Sequence, residues 1–318
     1  MTIKSPRMAI IMLLLVSLIW GAEFVLIDLA IEVIPTHTFN AIRFALAALS
    51  LLPLLWFSQK TDTPLPWRAL LKAGLILGLL LFIGFYTQTE GMRFTSVSNA
   101  GFITGLNVPL VPILGFLLFR NAVTNSAWLG VITATTGLYL LTMDDNLALN
   151  YGDLLVLICA FAFAAHIILT GRFVDSLPVI PLSIIQLIAV SLYSSIAALL
   201  SPDPVFYFAD STPTSWQQQL LTPIVLAAIL VAGIFGTAYA FWAQSASQQL
   251  LKPHKVALIF AIEPVFAHLT AWIFLDETLG AQGLLGAGLI ISGMLISELS
   301  DRQHPPKIRP LDQTAAPD

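Results

Sequence analysis

An all-α integral membrane protein, with ten transmembrane helices in two inverted five-helix repeats, is the fold class this sequence predicts. Three observations carry the prediction. Of the 318 residues, 57% are hydrophobic and only 10% are charged, against about 25% charged in soluble proteins. The mean hydropathy of +0.87 spreads that apolar excess along the chain, and a single core cannot hold it without leaving most of it facing solvent, so the solvent must be lipid. Ten apolar stretches are each long enough to cross a hydrocarbon layer of about 30 Å. The chain is also similar to itself at two offsets.

The stretches run near 8–32, 37–57, 69–89, 96–118, 125–142, 151–171, 180–200, 222–245, 254–275 and 281–299. Turn and charge signals separate them, as at Lys60-Thr61-Asp62-Thr63-Pro64, Asp144-Asp145-Asn146 and the long connection from Ser201-Pro202-Asp203-Pro204 to Thr222-Pro223. Lys4 and Arg7 give the first stretch the flank of a signal peptide, but Glu23 and Asp28 spoil a cleavage region and nine more stretches follow, so it is expected to be retained. The first repeat is expected at 8–142, the second at 151–299, and a disordered cytoplasmic tail at 300–318.

Orientation follows from the basic residues, because cytoplasmic loops hold the excess. With the N-terminus inside, Lys4, Arg7, Lys60, Arg68, Lys72, Arg120, Arg172, Lys252, Lys255, Arg302, Lys307 and Arg309 all fall on the inner side, which is twelve of fourteen. Only Arg43 and Arg93 fall toward the outer side, which predicts a multi-pass protein of the cell inner membrane with both termini cytoplasmic. Trp56, Trp67, Trp128, Trp216 and Trp272 land at stretch edges, where interfacial tryptophans belong.

Several function classes drop out. A net charge of −4 without runs of Lys or Arg leaves no footprint for nucleic acid. Cys159 is the single cysteine, which excludes an intrachain disulfide and a Cys-based metal site, so it is expected to be a small core residue. There is no His-Glu-x-x-His pair, no G-x-S-x-G elbow and no pair of intramembrane aspartates, so the expectation is a non-enzyme with no cofactor and no metal. No ring of like charge or carbonyl filter motif suggests a channel.

Self-comparison is the most informative pattern. At an offset of 143, Trp20-Gly21-Ala22-Glu23 falls on Phe163-Ala164-Ala165-His166, and Arg43 falls on Gln186. At 156, Phe85-Tyr86-Thr87-Gln88 falls on Phe241-Trp242-Ala243-Gln244, Asn107 on Glu263, Gly130 on Gly286 and Gly137 on Gly293. The longer loop between the seventh and eighth stretches accounts for the change of offset. A five-span repeat is odd-numbered, so the second copy must enter the membrane from the opposite side, and substrate sites in such folds lie near the midplane between the halves.

Trp20-Gly21, Gln88 before Gly91, the run Ala-Gly-Phe-Ile-Thr-Gly at 100–105, Ala257-Leu258-Ile259, Glu263-Pro264-Val265, and Asp276-Glu277 before Gly286 and Gly293 resemble the EamA family of the drug/metabolite transporter superfamily. The resemblance covers about 8–299. It implies ten helices in inverted repeats, cytoplasmic termini and export of a small metabolite. Two departures stand out: Asn121, where the family often has an acid, and Glu23, where small or amide residues are usual.

At a rise of ~1.5 Å per residue, Trp20, Asn107, Phe163 and Glu263 lie ~14–20 Å into their stretches, and Glu23 and His166 one turn further. An ionised side chain in lipid costs at least about 2.5–3.5 kcal/mol, so Glu23, His166, Glu263 and His268 should face the bundle interior. Glu23 either exchanges a proton or pairs with Arg43, which sits at similar depth and could alternatively hold a substrate carboxylate. Glu263 precedes Pro264 and matches Asn107 with Pro109 and Pro112, so both halves carry an interrupted span. Glu263 either caps the freed backbone or faces substrate, and the histidines are either hydrogen-bonded core residues or proton relays. Trp20 and Phe163 are the expected aromatic walls. The substrate-binding set is therefore Trp20, Glu23, Arg43, Asn107, Phe163, His166 and Glu263.

The expected function is a secondary transporter, an exporter by alternating access, for an amino acid or a related zwitterion. The alternatives are efflux of cationic amines and drugs, or a membrane scaffold or sensor without transport. Expected partners are a small-molecule substrate, protons and the lipid bilayer, and the chain is expected as a monomer or homodimer.

Overall fold

A computed structural model describes residues 3, 5–57, 65–95, 97–120, 123–142, 150–201, 204–206, 215–266, 269 and 280–303. In chain order the elements are α1 (Pro6–Ile31), α2 (Thr36–Leu51), α3 (Leu54–Phe57), α4 (Trp67–Met92), α5 (Val97–Gly105), α6 (Asn107–Phe119), α7 (Asn125–Thr142), α8 (Tyr151–Phe173) and α9 (Val179–Leu200). They continue with α10 (Trp216–Leu221), α11 (Pro223–Leu230), a π-helix (Val231–Tyr239), α12 (Ala240–Gln248), α13 (Pro253–Phe260), a helical turn at 263–266, and α14 (Ala281–Gln303). Every apolar stretch expected from the sequence coincides with one helix, an interrupted pair or, for the eighth, α11, the π-helix and α12 in succession, the ninth only as far as it is described. His268, Trp272, Asp276, Glu277 and the tail from His304 lie outside the described residues, and α14 continues to Gln303, past its expected end.

The chain is an all-helical integral membrane protein. Among the described residues, five helical stretches, Pro6–Ile31, Trp67–Met92, Tyr151–Phe173, Val179–Leu200 and Pro223–Gln248, are long and apolar enough to cross a membrane alone, and Ile103–Phe119 and Ala281–Ile296 are shorter apolar helices. Leucines face outward all round the bundle, with Leu117 68%, Leu199 76% and Leu200 79% exposed, an arrangement that only lipid solvates without cost. Starts are set by local chemistry: Ser5 caps α1 ahead of Pro6, Asn150 and Asp153 form a reciprocal capping box on α8, and prolines open α11 and α13.

Glycines let helices cross at backbone distance. A Cβ on Gly137 of α7 would stand 2.6 Å from the Gly286 carbonyl of α14, while one on Gly293 of α14 would stand 2.5 Å from the Gly130 carbonyl of α7. Gly137 matches Gly293 and Gly130 matches Gly286 at the offset of 156, so this contact maps onto itself when the two helices are exchanged. Likewise α2 packs on α9, its counterpart at the offset of 143.

The two interrupted spans break alike. Leu106 N bonds to Ile103 O at 3.1 Å and Ile262 N to Ile259 O at 3.2 Å, each a tightened turn immediately before Asn107 and Glu263. Pro109 and Pro264 lack the N–H that would continue the α-helical ladder there, which explains the break.

One correction concerns the change of offset. The apolar cluster holding Leu70, Ala73, Leu77, Val174, Leu177 and Leu182 matches, residue by residue, one holding Val225, Ala228, Ala232, Ile31, Ile34 and Phe39. The α4 residues of that set match at 155, whereas Phe85 and Gln88 match Phe241 and Gln244 at 156. The π-helix Val231–Tyr239 spans the place where the extra residue enters, and the wider π turn holds one more residue without breaking the helix. The loop between α9 and α11 therefore accounts for all but one residue of the change.

On the side where α1 begins, one apolar cluster joins α1, α6, α8, α12 and α13, and the cluster of Leu70, Leu77, Val174 and Leu182 joins α4, the end of α8 and α9. On the side where α1 ends, the described residues form two separate clusters, one of α1, α2 and α11 and one of α4, α5 and α8.

Candidate functional site

A cavity lies between these helices. Its lining falls into seven pairs related by the two offsets: Trp20 with Phe163, Glu23 with His166, Phe24 with Ile167, Phe85 with Phe241, Gln88 with Gln244, Thr104 with Phe260, and Asn107 with Glu263. Ile27 and Leu81 complete it. Six of the seven residues singled out from sequence thus meet around one space, brought there from α1, α6, α8 and the turn after α13.

Arg43 does not line the cavity. It stands behind Glu23, 1% exposed, with its Nη2 donating to Glu23 Oε1 at 2.7 Å and its Nε donating to Thr237 Oγ1 at 2.7 Å. Its guanidinium lies 4.9 Å from the centre of the Phe85 ring. A cation with both these donor directions engaged inside a protein wall is not free to grip a substrate, so of the two readings of Arg43 the structure presents the brace between α1, α2 and the π-helix. Glu23 is held at one carboxylate oxygen by Arg43, and the other, Oε2, is buried with no hydrogen-bond partner. Gly236 makes room for this carboxylate, since a methyl group there would overlap it.

In the other half, His166 Nε2 lies 3.0 Å from Gln186 Oε1 and 3.3 Å from Thr170 Oγ1, all three buried. This is the hydrogen-bonded core role for His166, with its ring edge also against Phe241. Asn107 Oδ1 is buried without a partner. Among the described residues Glu263 makes no ion pair or side-chain hydrogen bond, although it lines the cavity near enough to Glu23 for the two charges to interact. Gln88 is tied to Thr104 at 3.1 Å, and Gln244 to Gln248 at 3.2 Å.

The expected walls Trp20 and Phe163 belong to a longer chain of rings. Trp20 meets Phe241 at 5.9 Å, Phe241 meets Phe85 at 5.9 Å, and Phe85 meets Phe163 at 5.1 Å, so the chain reads the same when the halves are exchanged. Trp20 also donates from Nε1 to the Gly236 carbonyl at 2.7 Å, which fixes its ring plane. Sequence reasoning missed Phe24, Ile27, Leu81 and Phe260 altogether, quoted Thr104 only within the run at 100–105, and matched Phe85, Gln88, Phe241 and Gln244 without assigning them to the site. The offsets carried the signal for that second group: positions one or two turns from a lining residue, matched in both halves, share its face.

A polytopic helical protein that holds a partly polar, aromatic-lined cavity between lipid-facing helices has the construction of a membrane carrier of small solutes. The chain belongs to the EamA-like transporter family, whose pattern matches residues 7–143 and 150–299. It is 31% identical to an uncharacterized transporter of Archaeoglobus fulgidus, over 90% of this chain and 84% of that one. It is 25% identical to the uncharacterized inner membrane transporter YedA of Escherichia coli, over 94% of each, and 26% identical to the uncharacterized transporter YyaM of Bacillus subtilis, over 90% of this chain and 92% of that one. A crystal structure of a protein with 16% identity superposes with a TM-score of 0.73, covering 94% of this chain and 99% of the other, which is a likeness of fold.

Proposed function

We propose that this transporter is a secondary carrier that exports a small amine-bearing metabolite across the inner membrane by alternating access between two inverted repeats, 8–142 and 151–299. In this reading ten spans cross the bilayer with both termini cytoplasmic, and the cavity is the substrate site. The pairing of its lining across the two offsets is the observation that carries the proposal. A site made of equivalent groups from two oppositely inserted halves can open to either side by exchanging the conformations of those halves. The self-matching α7–α14 crossing and the paired breaks before Asn107 and Glu263 support the same architecture. Outward direction rests on the family resemblance.

Two experiments test this. With Cys159 replaced by alanine, single cysteines at Asn150 and Val205 should react with an impermeant maleimide from outside the cell, and those at Arg68 and Lys252 should not; the opposite pattern overturns the orientation. Ile27 lines the cavity, and Thr170 is its counterpart at the offset of 143. Cysteines there should label in proteoliposomes from opposite sides, and a ligand or cross-link that protects one should expose the other. Labelling of both that never changes together overturns alternating access.

A further inference from the structure

We infer that the cavity selects a protonated organic amine with an apolar or aromatic body, and seats its ammonium group among Glu263, Glu23 Oε2 and Asn107 Oδ1. The inference rests on the cavity being the substrate site and narrows what it takes. An amino acid needs a partner for its carboxylate, yet among the described residues no lysine or arginine lines the cavity. The nearest candidate, Arg43, already faces Glu23 and Thr237. A ligand carboxylate would meet Glu263 instead, acid against acid.

Among the residues that line the cavity, the buried polar atoms left without partners are both acceptors. Glu23 Oε2 and Asn107 Oδ1 are buried acceptors with nothing donating to them, and their residues are 4% and 8% exposed. Glu263 adds a carboxyl group with no described counter-ion. With Glu23 paired to Arg43, Glu263 is the acid of the lining without a described partner, and an ammonium group can pair with it. Orphaned acceptors call for N–H donors, so a primary or secondary ammonium satisfies them and a quaternary one does not. Around them the chain of rings from Trp20 to Phe163 offers faces that suit both a hydrophobic body and a cation.

The test compares matched ligands on the purified full-length protein in lipid nanodiscs, read by thermal stabilisation and by displacement of radiolabelled amine. The ligands are 2-phenylethylamine, its N,N,N-trimethyl form, phenylalanine and 3-phenylpropionate. 2-Phenylethylamine should raise the apparent melting temperature with saturation, while the other three should bind about tenfold weaker or worse, the loss of one charge-assisted hydrogen bond. Glu263→Gln should weaken amine binding about tenfold or more, and Asn107→Asp, which adds a carboxylate of the same shape, should tighten it. Equal or tighter binding of phenylalanine or phenylpropionate overturns the inference. So does full affinity of the trimethyl compound, an unchanged affinity in both variants, or no stabilisation by amine at millimolar concentration. If any of these occurs while labelling at Ile27 and Thr170 still alternates, the substrate class falls and the transport reading stands; if labelling does not alternate, the transport reading itself falls.

Discussion

Glu23 with Arg43, and His166 with Gln186, occupy matched positions in the two halves at the offset of 143, and each bridges the first two helices of its half. One is an ion pair of 2.7 Å and the other a neutral contact of 3.0 Å. What both halves retain is a buried polar clamp at the same depth, and what differs is its charge. Holding two charges away from water costs several kcal/mol that their attraction only partly recovers, whereas a neutral pair risks less. The charged clamp also recruits a third helix, through Arg43 to Thr237 of the π-helix, while the neutral clamp closes on Thr170 of its own α8. The difference teaches that the clamp is the structural requirement, and that the charge sets the chemistry of one end of the cavity.

The comparison can be broken most forcefully at Arg43. Arg43→Met leaves Glu23 buried and unpaired and should cost about 3–5 kcal/mol, whereas Gln186→Met, which orphans only neutral groups, should cost about 1–3 kcal/mol. Thermal unfolding of the two purified variants in detergent checks this, and equal losses would erase the distinction drawn between the clamps. Gly236→Ala drives a methyl group into the Glu23 carboxylate and should destabilise by about 1–3 kcal/mol, while Gly101→Ala, with nothing within 4 Å of its Cβ, should be silent in the same assay. The double variant Glu23→His, Arg43→Gln rebuilds the neutral clamp in the first half. It should stay within about 1.5 kcal/mol of the parent, and a collapse as deep as that of Arg43→Met would show that the ion pair itself is indispensable. Smallest is Trp20→Phe, which makes the first wall identical in type to Phe163 and removes the bond to Gly236 O; the expected loss is about 0.5–1.5 kcal/mol.

Much of the fold was legible along the chain because lipid imposes a one-dimensional rule: each span needs a run of apolar residues of fixed length, and polar groups inside it must face inward. That rule places the helices from Pro6 to Gln303 and directs Glu23, His166, Asn107 and Glu263 to a shared interior. Shifting the chain against itself then pairs those positions, and the cavity brings the pairs together. Phe85 and Phe241 were within reach of the same step, and it was the restriction to tryptophan and one phenylalanine that left them out.

Composition, spacing and self-similarity determine that this is an all-helical membrane protein, where its polar residues cluster, and which of them are counterparts. The tertiary structure alone decides the partners: that Arg43 turns to Glu23 and Thr237 and away from the cavity, that Glu23 keeps one free oxygen, and that a residue is inserted in the π-helix and not in a loop. The physical reason is that depth and face are properties of a residue on its own helix, whereas a hydrogen bond of 2.7 Å depends on the approach and rotation of three helices at once, a relation that no spacing within one helix encodes.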